Sequence, residues 1–193
     1  DDARHTLAVV RTAAGYGAHA LSSARVTGLV REGSAPDSPV VGVRVADLTD
    51  GSSFTVRARS VIAATGVWSD DIGTMLGDAA PSLKVRASKG VHLVLPRSAI
   101  DGAHLEEAGG TQAGLILRTP TSVLFVIPWG DRWIVGTTDT PWRLDRDHPA
   151  ASSADIDYIL DQVNQVLVRP VTAEDILGVY AGLRPLLAGE SDE

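Results

Sequence analysis

Continuous and alternating apolar positions predict several strands, and the clearest of them lie in the middle of the chain. Val123 to Ile127 is an unbroken apolar run with β-branched and aromatic residues, typical of a strand covered on both faces. Pro128 is expected to end this strand. Gly130 and Asp131 have the composition of a two-residue primed turn, and Trp133 to Val135 supplies the return strand. The pattern therefore predicts a β-hairpin.

A polar segment follows the hairpin directly. Gly136-Thr137-Thr138-Asp139-Thr140 places three hydroxyls and a carboxylate at the end of an apolar element. Such a cluster suits the wall of a site for a polar ligand, and it equally suits an exposed strand end. Composition leaves both interpretations open.

The first part of the chain predicts a helix and a meander of strands. Apolar residues at helical spacing indicate a helix over Asp2 to Ala14. Three strand candidates come next, separated by turns rich in Gly, Pro and Asp: Ala24 to Arg31, Val40 to Asp47 and Phe54 to Arg59. Their alternating polarity predicts an antiparallel meander with one buried face.

The segment Ser60 to Asp71 predicts an apolar strand that breaks at Thr65-Gly66, followed by a helix that begins near Ser69. A strand, a glycine turn and a helix start in this order can direct backbone N–H groups at an anion or a cofactor. An ordinary strand-to-helix turn capped by Ser69 or Asp70 explains the same residues.

Two strands in the second half of the chain each carry one residue with candidate chemistry. His92 lies within the strand predicted from Leu83 to Pro96, either as a core residue or as a general base. Arg184 lies within the strand predicted from Ile176 to Leu187, where a buried guanidinium needs an anion. A phosphate or carboxylate ligand would satisfy it, and so would an internal salt bridge.

The remaining segments are assigned from turn and capping signals. We predict a loop over Gly102 to Gly114 and a strand over Gly114 to Arg118. Ser152 and Asp155 have capping-box spacing, and the apolar stripe that follows predicts a core-packed helix that ends at Arg169-Pro170.

Composition narrows the class of function. A chain of 193 residues with 44% hydrophobic content can bury a core, and its formal charge of −7 argues against a nucleic-acid surface. The absence of cysteine excludes disulfides and thiolate metal sites, with a reducing interior as the default compartment. We find no phosphate-binding P-loop, no hydrolase nucleophile elbow, no zinc motif and no complete dinucleotide fingerprint, and we predict no metal site.

Five motifs taken together resemble the FAD-dependent glycerol-3-phosphate dehydrogenases. In chain order they are Ala63-Ala-Thr-Gly-Val-Trp68, Ser88-Lys-Gly-Val-His92, Phe125-Val-Ile-Pro-Trp129, Ile134-Val-Gly-Thr-Thr-Asp139 and Gly178-Val-Tyr-Ala-Gly-Leu-Arg-Pro185. The opening Asp2-Ala3-Arg4 is also similar to that family, whereas Ala63 departs from it, since the family often has Asn there. The ordered set is more specific than any single motif.

The resemblance implies an α+β fold and three parts. Residues 1–82 would be the distal part of an FAD-binding domain with its β-meander, and residues 83–175 an antiparallel substrate domain with flanking helices. Residues 176–193 would form a strand that returns toward the FAD domain. Because the glycine fingerprint of that family is missing, we expect the chain to be an internal fragment that retains FAD weakly or not at all.

The resemblance also implies a reaction, in which sn-glycerol 3-phosphate is oxidised to dihydroxyacetone phosphate while FAD accepts a hydride and a quinone is the final electron acceptor. His92 and Arg184 would be the catalytic residues and, with Thr138, would bind the substrate. Residues implied in cofactor binding are Val26, Ala64, Thr65, Gly66, Trp68 and Gly182. A cytoplasmic protein with peripheral contact to the inner face of the cell membrane is expected.

Two alternatives stand beside this interpretation. An oxidase of the same flavoprotein fold could act on an amine or a 2-hydroxy acid. The isolated chain could also be a folded but non-catalytic fragment.

Overall fold

The computed structural model describes residues 2–77, 84–100, 113–120 and 123–187. The helices are α1 (Asp2–Gly15), α2 (Ser69–Leu76) and α3 (Ser153–Asn164), with short 3-10 turns at Gly66–Trp68, Arg97–Ala99 and Ala173–Asp175. The strands are β1 (Ala24–Arg31), β2 (Val40–Asp47), β3 (Ser53–Arg57), β4 (Val85–Pro96), β5 (Leu115–Arg118), β6 (Val123–Trp129), β7 (Arg132–Gly136), β8 (Thr140–Pro141) and β9 (Gly178–Leu187). The predicted α+β class with antiparallel sheets is confirmed.

The chain divides into two compact units. The first comprises Asp1–Ala63 and Asp71–Pro81, and the second comprises Ala64–Asp70 and Ser82–Glu193. The unit that contains β4 also contains β9. The predicted division into residues 1–82, 83–175 and 176–193 stays a prediction. The assignment of these parts to FAD and substrate domains stays a prediction.

The first unit contains the predicted meander. Its sheet has the order β1-β2-β3 with antiparallel pairing throughout. The Arg31 guanidinium connects β1 to the end of α2, since it donates to the Leu76 carbonyl at 3.3 Å. It also donates to the Ser38 carbonyl at 2.8 Å. Of the apolar residues on β2, Val45 is buried.

The second unit is built on β4. In its sheet β5, β6, β7 and β4 are neighbours in that order, and β9 pairs with the other edge of β4 from Val85 to Val94. β8 pairs with β4 at Ser88 and Lys89, beyond the end of β7. β4 is therefore hydrogen-bonded to neighbouring strands along both of its edges.

The core of this unit lies on one face of the sheet. Val91, Leu93 and Leu95 of β4 are fully buried there, and α3 covers them with apolar residues that include Ile159 and Val163. Burial of each of these side chains contributes about 1.5–3 kcal/mol. The predicted capping box starts α3, because Ser152 accepts from the Asp155 N–H while Asp155 accepts from the Ser152 N–H.

The hairpin forms as predicted at Gly130-Asp131, where Gly130 has φ of +56°. Two details of the prediction are wrong. Pro128 does not end β6, which continues to Trp129, because β5 pairs β6 only from Val123 to Val126 and needs no N–H from Pro128. β6 is also not covered on both faces, since its residues alternate between buried and exposed.

The predicted strand after Ser60 is also wrong. Residues 60–65 form no strand in the structure, and Ile62 in this segment is 88% exposed. A strand requires a ladder partner, and no described segment pairs with these residues. The helix predicted from near Ser69 is confirmed as α2.

Other boundaries differ less. α3 ends at Asn164, before the predicted stop at Arg169-Pro170, because the Asn164 side chain bonds both backbone groups of Val171 and turns the chain. Most of the predicted loop over Gly102 to Gly114 lies outside the described residues. None of the described helices has the length and hydropathy needed to cross a membrane.

Candidate functional site

A candidate active site lies on the sheet face opposite α3, which we call the open face. Successive residues of a strand point to opposite faces, so Ser88, Gly90 and His92 of β4 lie on the open face while Val91 and Leu93 point into the core. Residues two apart on one face are separated by about 7 Å. A side chain held over Gly90 is therefore a near neighbour of His92.

Arg184 enters this face from β9. It pairs with Ser88 in the ladder, and its guanidinium extends across the sheet toward β7 and β8. Arg184 Nη2 donates to Thr137 Oγ1 at 2.8 Å, and Nη1 donates to the Thr138 carbonyl at 3.1 Å. Two hydrogen bonds to groups without net charge fix the cation and leave its charge available.

The internal salt bridge considered for Arg184 is present but loose. The Asp139 carboxylate lies 3.9 Å from Arg184 Nη1, and the two side chains are 38% and 43% exposed. The same carboxylate accepts a close hydrogen bond from Ser88 Oγ. A long, solvated pair contributes little, so it does not prevent Arg184 from binding a further anion.

His92 lies on the open face and is only partly buried. Its ring stacks on Tyr180 of β9, with centroids 4.9 Å apart and planes 11° apart. Burial lowers the pKa of His92, and the positive charge of Arg184 lowers it further. The imidazole is therefore neutral at physiological pH and can accept a proton.

The Thr138 side chain faces away from this cluster. It is 3% exposed, and its hydroxyl accepts from the Val91 N–H at 3.1 Å and donates to the Lys89 carbonyl at 3.3 Å. Thr138 thus contacts Arg184 through its carbonyl, while Thr137 supplies the hydroxyl. The role of Thr138 in substrate binding stays a prediction.

Thr138 also borders a separate cavity of about 280 Å³. Lys89 and Asp155 line this cavity and form a buried ion pair at 2.6 Å. Burial by itself would raise the pKa of Asp155, but hydrogen bonds from Lys89 and Ser152 outweigh it and hold that pKa below its ordinary value. Since each charge is already satisfied, this cavity is a structural feature of the β4–α3 contact.

The residues predicted to bind the cofactor are divided between the two units. Val26 lies in the first unit and is partly buried. Four others lie in the second unit with His92 and Arg184, namely Thr65, Gly66, Trp68 and Gly182. Ala64 is also in the second unit and is exposed. Their cofactor roles stay predictions.

The turn predicted for a cofactor lies beside β9 and β4. Gly66 has φ of +55°, and Ser69 donates its hydroxyl to the Gly66 carbonyl at 2.7 Å. Among the residues that the structure describes, a Cβ placed on Gly66 or on Gly182 would meet no atom within 4 Å, and Trp68 is 41% exposed. Open backbone and an accessible aromatic ring fit a bulky, flat cofactor such as FAD.

The partners of the two predicted catalytic residues do not follow from the sequence. Thr137 contacts Arg184, Ser88 contacts Asp139 and Tyr180 stacks on His92, and all three contacts join residues far apart in the chain. Gly90 gave a signal, because glycine inside a strand often marks a close approach of another group. No three His, Asp or Glu side chains converge on a metal position within the described ranges.

The sequence of this chain is similar to those of several curated enzymes. Glycerol-3-phosphate dehydrogenase of Mycobacterium leprae is 54% identical over 193 residues, which is all of this chain and 31% of that protein. Alpha-glycerophosphate oxidase of Streptococcus pyogenes is 35% identical over 156 residues, covering 80% of this chain and 24% of the oxidase. The chain thus spans about a third or less of the curated relatives it matches.

A solved structure agrees in fold. The crystal structure of glycerol-3-phosphate dehydrogenase from Bacillus halodurans, complexed with FAD, superposes with a TM-score of 0.83 at 30% identity. The match covers 97% of this chain and 36% of the solved chain. A model of the family described as FAD dependent oxidoreductase (DAO) matches residues 1–193, and the chain therefore belongs to that family.

Proposed function

We propose that the protein carrying this chain oxidises glycerol 3-phosphate to dihydroxyacetone phosphate with FAD as the hydride acceptor. The arrangement of Arg184 and His92 on one face carries the proposal, because this substrate has one anionic group and one secondary alcohol. A fixed cation suits the phosphate and a neutral imidazole suits the hydroxyl proton. The 54% identity to a glycerol-3-phosphate dehydrogenase supports this assignment.

The reaction removes two hydrogens from the substrate. Bound FAD would supply a two-electron acceptor for the hydride that leaves C2. His92 would accept the proton of the C2 hydroxyl at an imidazole nitrogen, so that the C2–O bond becomes a carbonyl. Arg184 would hold the phosphate, and its two hydrogen bonds to Thr137 and Thr138 keep the guanidinium in one orientation before the substrate arrives.

The residues around His92 would prepare it to accept the proton. Stacking on Tyr180 fixes the plane of the His92 ring. Burial, and after it the positive charge of Arg184, lowers the pKa of His92 and so favours the unprotonated ring. Gly66, Trp68 and Gly182 are the residues of this unit that would lie against the cofactor. The final electron acceptor is proposed to be a quinone, with the protein at the cytoplasmic face of the cell membrane, as the motif resemblance implies.

The test uses the natural gene product that contains this sequence, purified with its flavin. Glycerol 3-phosphate added without oxygen should bleach the flavin absorption near 450 nm in proportion to the enzyme. Glycerol is the matched control, since it has the same alcohol without the phosphate. An amine substrate and a 2-hydroxy acid test the two alternative oxidase reactions.

The outcomes separate the candidates. Bleaching by glycerol 3-phosphate alone supports the proposal, whereas bleaching by the amine or the 2-hydroxy acid alone refutes it. Reoxidation by a short-chain quinone or by oxygen then distinguishes a dehydrogenase from an oxidase. Co-sedimentation with anionic lipid vesicles examines the membrane part of the proposal.

A further inference from the structure

Gly90 faces the Arg184 guanidinium at a distance that no side chain would allow. A Cβ added to Gly90 would lie 2.6 Å from Thr137 Oγ1 and 2.8 Å from Arg184 Cζ, and it would overlap Arg184 Nη2. Contacts below 3.0 Å to a real Cβ essentially do not occur, so something would have to move. The space above Gly90 is the place where the guanidinium lies.

Other strand glycines on the open face differ in how crowded an added Cβ would be. Gly178 lies on β9 opposite Val94, and a Cβ there would meet Val94 Cβ at an ordinary 3.9 Å. Gly136 does resemble Gly90, because a Cβ there would lie 2.6 Å from His92 Cδ2. It would also lie 2.6 Å from the Val91 carbonyl, so substitution at Gly136 would disturb the β4–β7 ladder as well.

At Gly90 the three nearest atoms all belong to side chains, namely the Thr137 hydroxyl and the end of the Arg184 side chain. A methyl group at position 90 would be accommodated mainly by displacement of the flexible guanidinium rather than by movement of the strands. Substitution at Gly90 should therefore alter the position of Arg184 without a large loss of stability.

We propose that Gly90 is a positioning residue that, by lacking a side chain, holds open the place where the Arg184 guanidinium binds the substrate anion beside His92. The identity of the anion rests on the proposed function. The position of Arg184 is independent of that function. Gly90 itself would contact neither substrate nor cofactor.

The experiment compares Gly90→Ala with Gly178→Ala in the flavin-loaded gene product. We expect Gly90→Ala to raise KM for glycerol 3-phosphate by on the order of 10- to 100-fold with a smaller fall in kcat, because a misplaced contact weakens binding of the phosphate. Gly178→Ala should match the unaltered protein. Thermal unfolding of both variants shows whether stability has changed.

A double-mutant cycle tests whether Gly90 acts through Arg184. If it does, Gly90→Ala should change KM by less than about twofold once Arg184→Ala is present, since the residue it displaces is already gone. An equal effect in both backgrounds would show that Gly90 has a merely structural role and would overturn the proposal.

A readout that needs no turnover separates this inference from the proposed function. The Nε–H signal of Arg184 should shift in Gly90→Ala but not in Gly178→Ala, and the pKa of His92 followed by NMR should move toward its ordinary value as the guanidinium leaves. If the protein fails to oxidise glycerol 3-phosphate but these signals move, the proposed function fails and the positioning role stands. If Gly90→Ala matches Gly178→Ala in both signals, the positioning role is refuted whatever the substrate.

Discussion

Removal of the Arg184 guanidinium should affect substrate binding and the pH dependence together. A hydrogen bond to a charged group contributes roughly 1.5–3 kcal/mol. Loss of such a contact with the substrate phosphate in Arg184→Ala should lower kcat/KM by roughly 10- to 150-fold. Most of the change should appear as a higher KM.

The second effect follows from the charge of Arg184 near His92. That charge lowers the pKa of His92 after the larger effect of burial, so its removal should raise this pKa toward 6.5. A general base works only when unprotonated, and the activity of the unaltered protein should therefore fall on the acid side at a pH below 6.5. In Arg184→Ala this fall should begin at a higher pH.

The assay is the pH profile of kcat/KM for glycerol 3-phosphate, measured by dye reduction in the flavin-loaded gene product. Arg132→Ala is the matched control, because Arg132 is an arginine of the same sheet whose guanidinium bonds its neighbour Asp131 at 2.8 Å. This control should change neither KM nor the profile. A normal KM in Arg184→Ala would show that Arg184 serves only its contacts with Thr137, Thr138 and Asp139 within the protein. An unmoved acid limb would remove His92 as the titrating base.

Three further substitutions test single contacts. Thr137→Val should raise KM severalfold through loss of the hydroxyl that holds Arg184, while Thr137→Ser should restore it; equal kinetics of the two variants would contradict the contact. Tyr180→Ala should lower kcat more than Tyr180→Phe, because phenylalanine keeps a ring stacked on His92. Such a stack contributes about 1 kcal/mol. Equal kcat values of the two variants would mean that the stack is unimportant. Lys89→Met should destabilise the fold by about 3–5 kcal/mol in thermal unfolding because it leaves Asp155 charged and buried. Lys89→Met combined with Asp155→Asn, whose neutral side chain can still accept from the Ser152 N–H, should recover much of this, and an unchanged melting temperature in the single variant would refute the argument.

Local patterns were sufficient for elements that depend on neighbours in sequence. The β-hairpin and the capping box of α3 follow from turn residues and from side chains three positions apart. The strand predicted after Ser60 failed because apolar character supplies no ladder partner. The exposed face of β6 was missed for a related reason, since a run of apolar residues does not reveal whether another layer covers its second face.

The candidate site depends on contacts that no local pattern contains. His92 and Arg184 are separated by 92 positions in sequence, and they become neighbours only through the antiparallel register of β4 and β9. That register places Arg184 opposite Ser88, four residues along β4 from His92. An Arg184 side chain that pointed straight out from the sheet would therefore not lie beside His92. The side chain must therefore cross the intervening position, and only a glycine at position 90 leaves that path open. Glycine normally weakens a strand because it adds backbone entropy and no packing. Its presence in the most tightly paired strand of the sheet is explained if the space it leaves is required for Arg184, and this is why Gly90 is the residue whose substitution tests the site most directly.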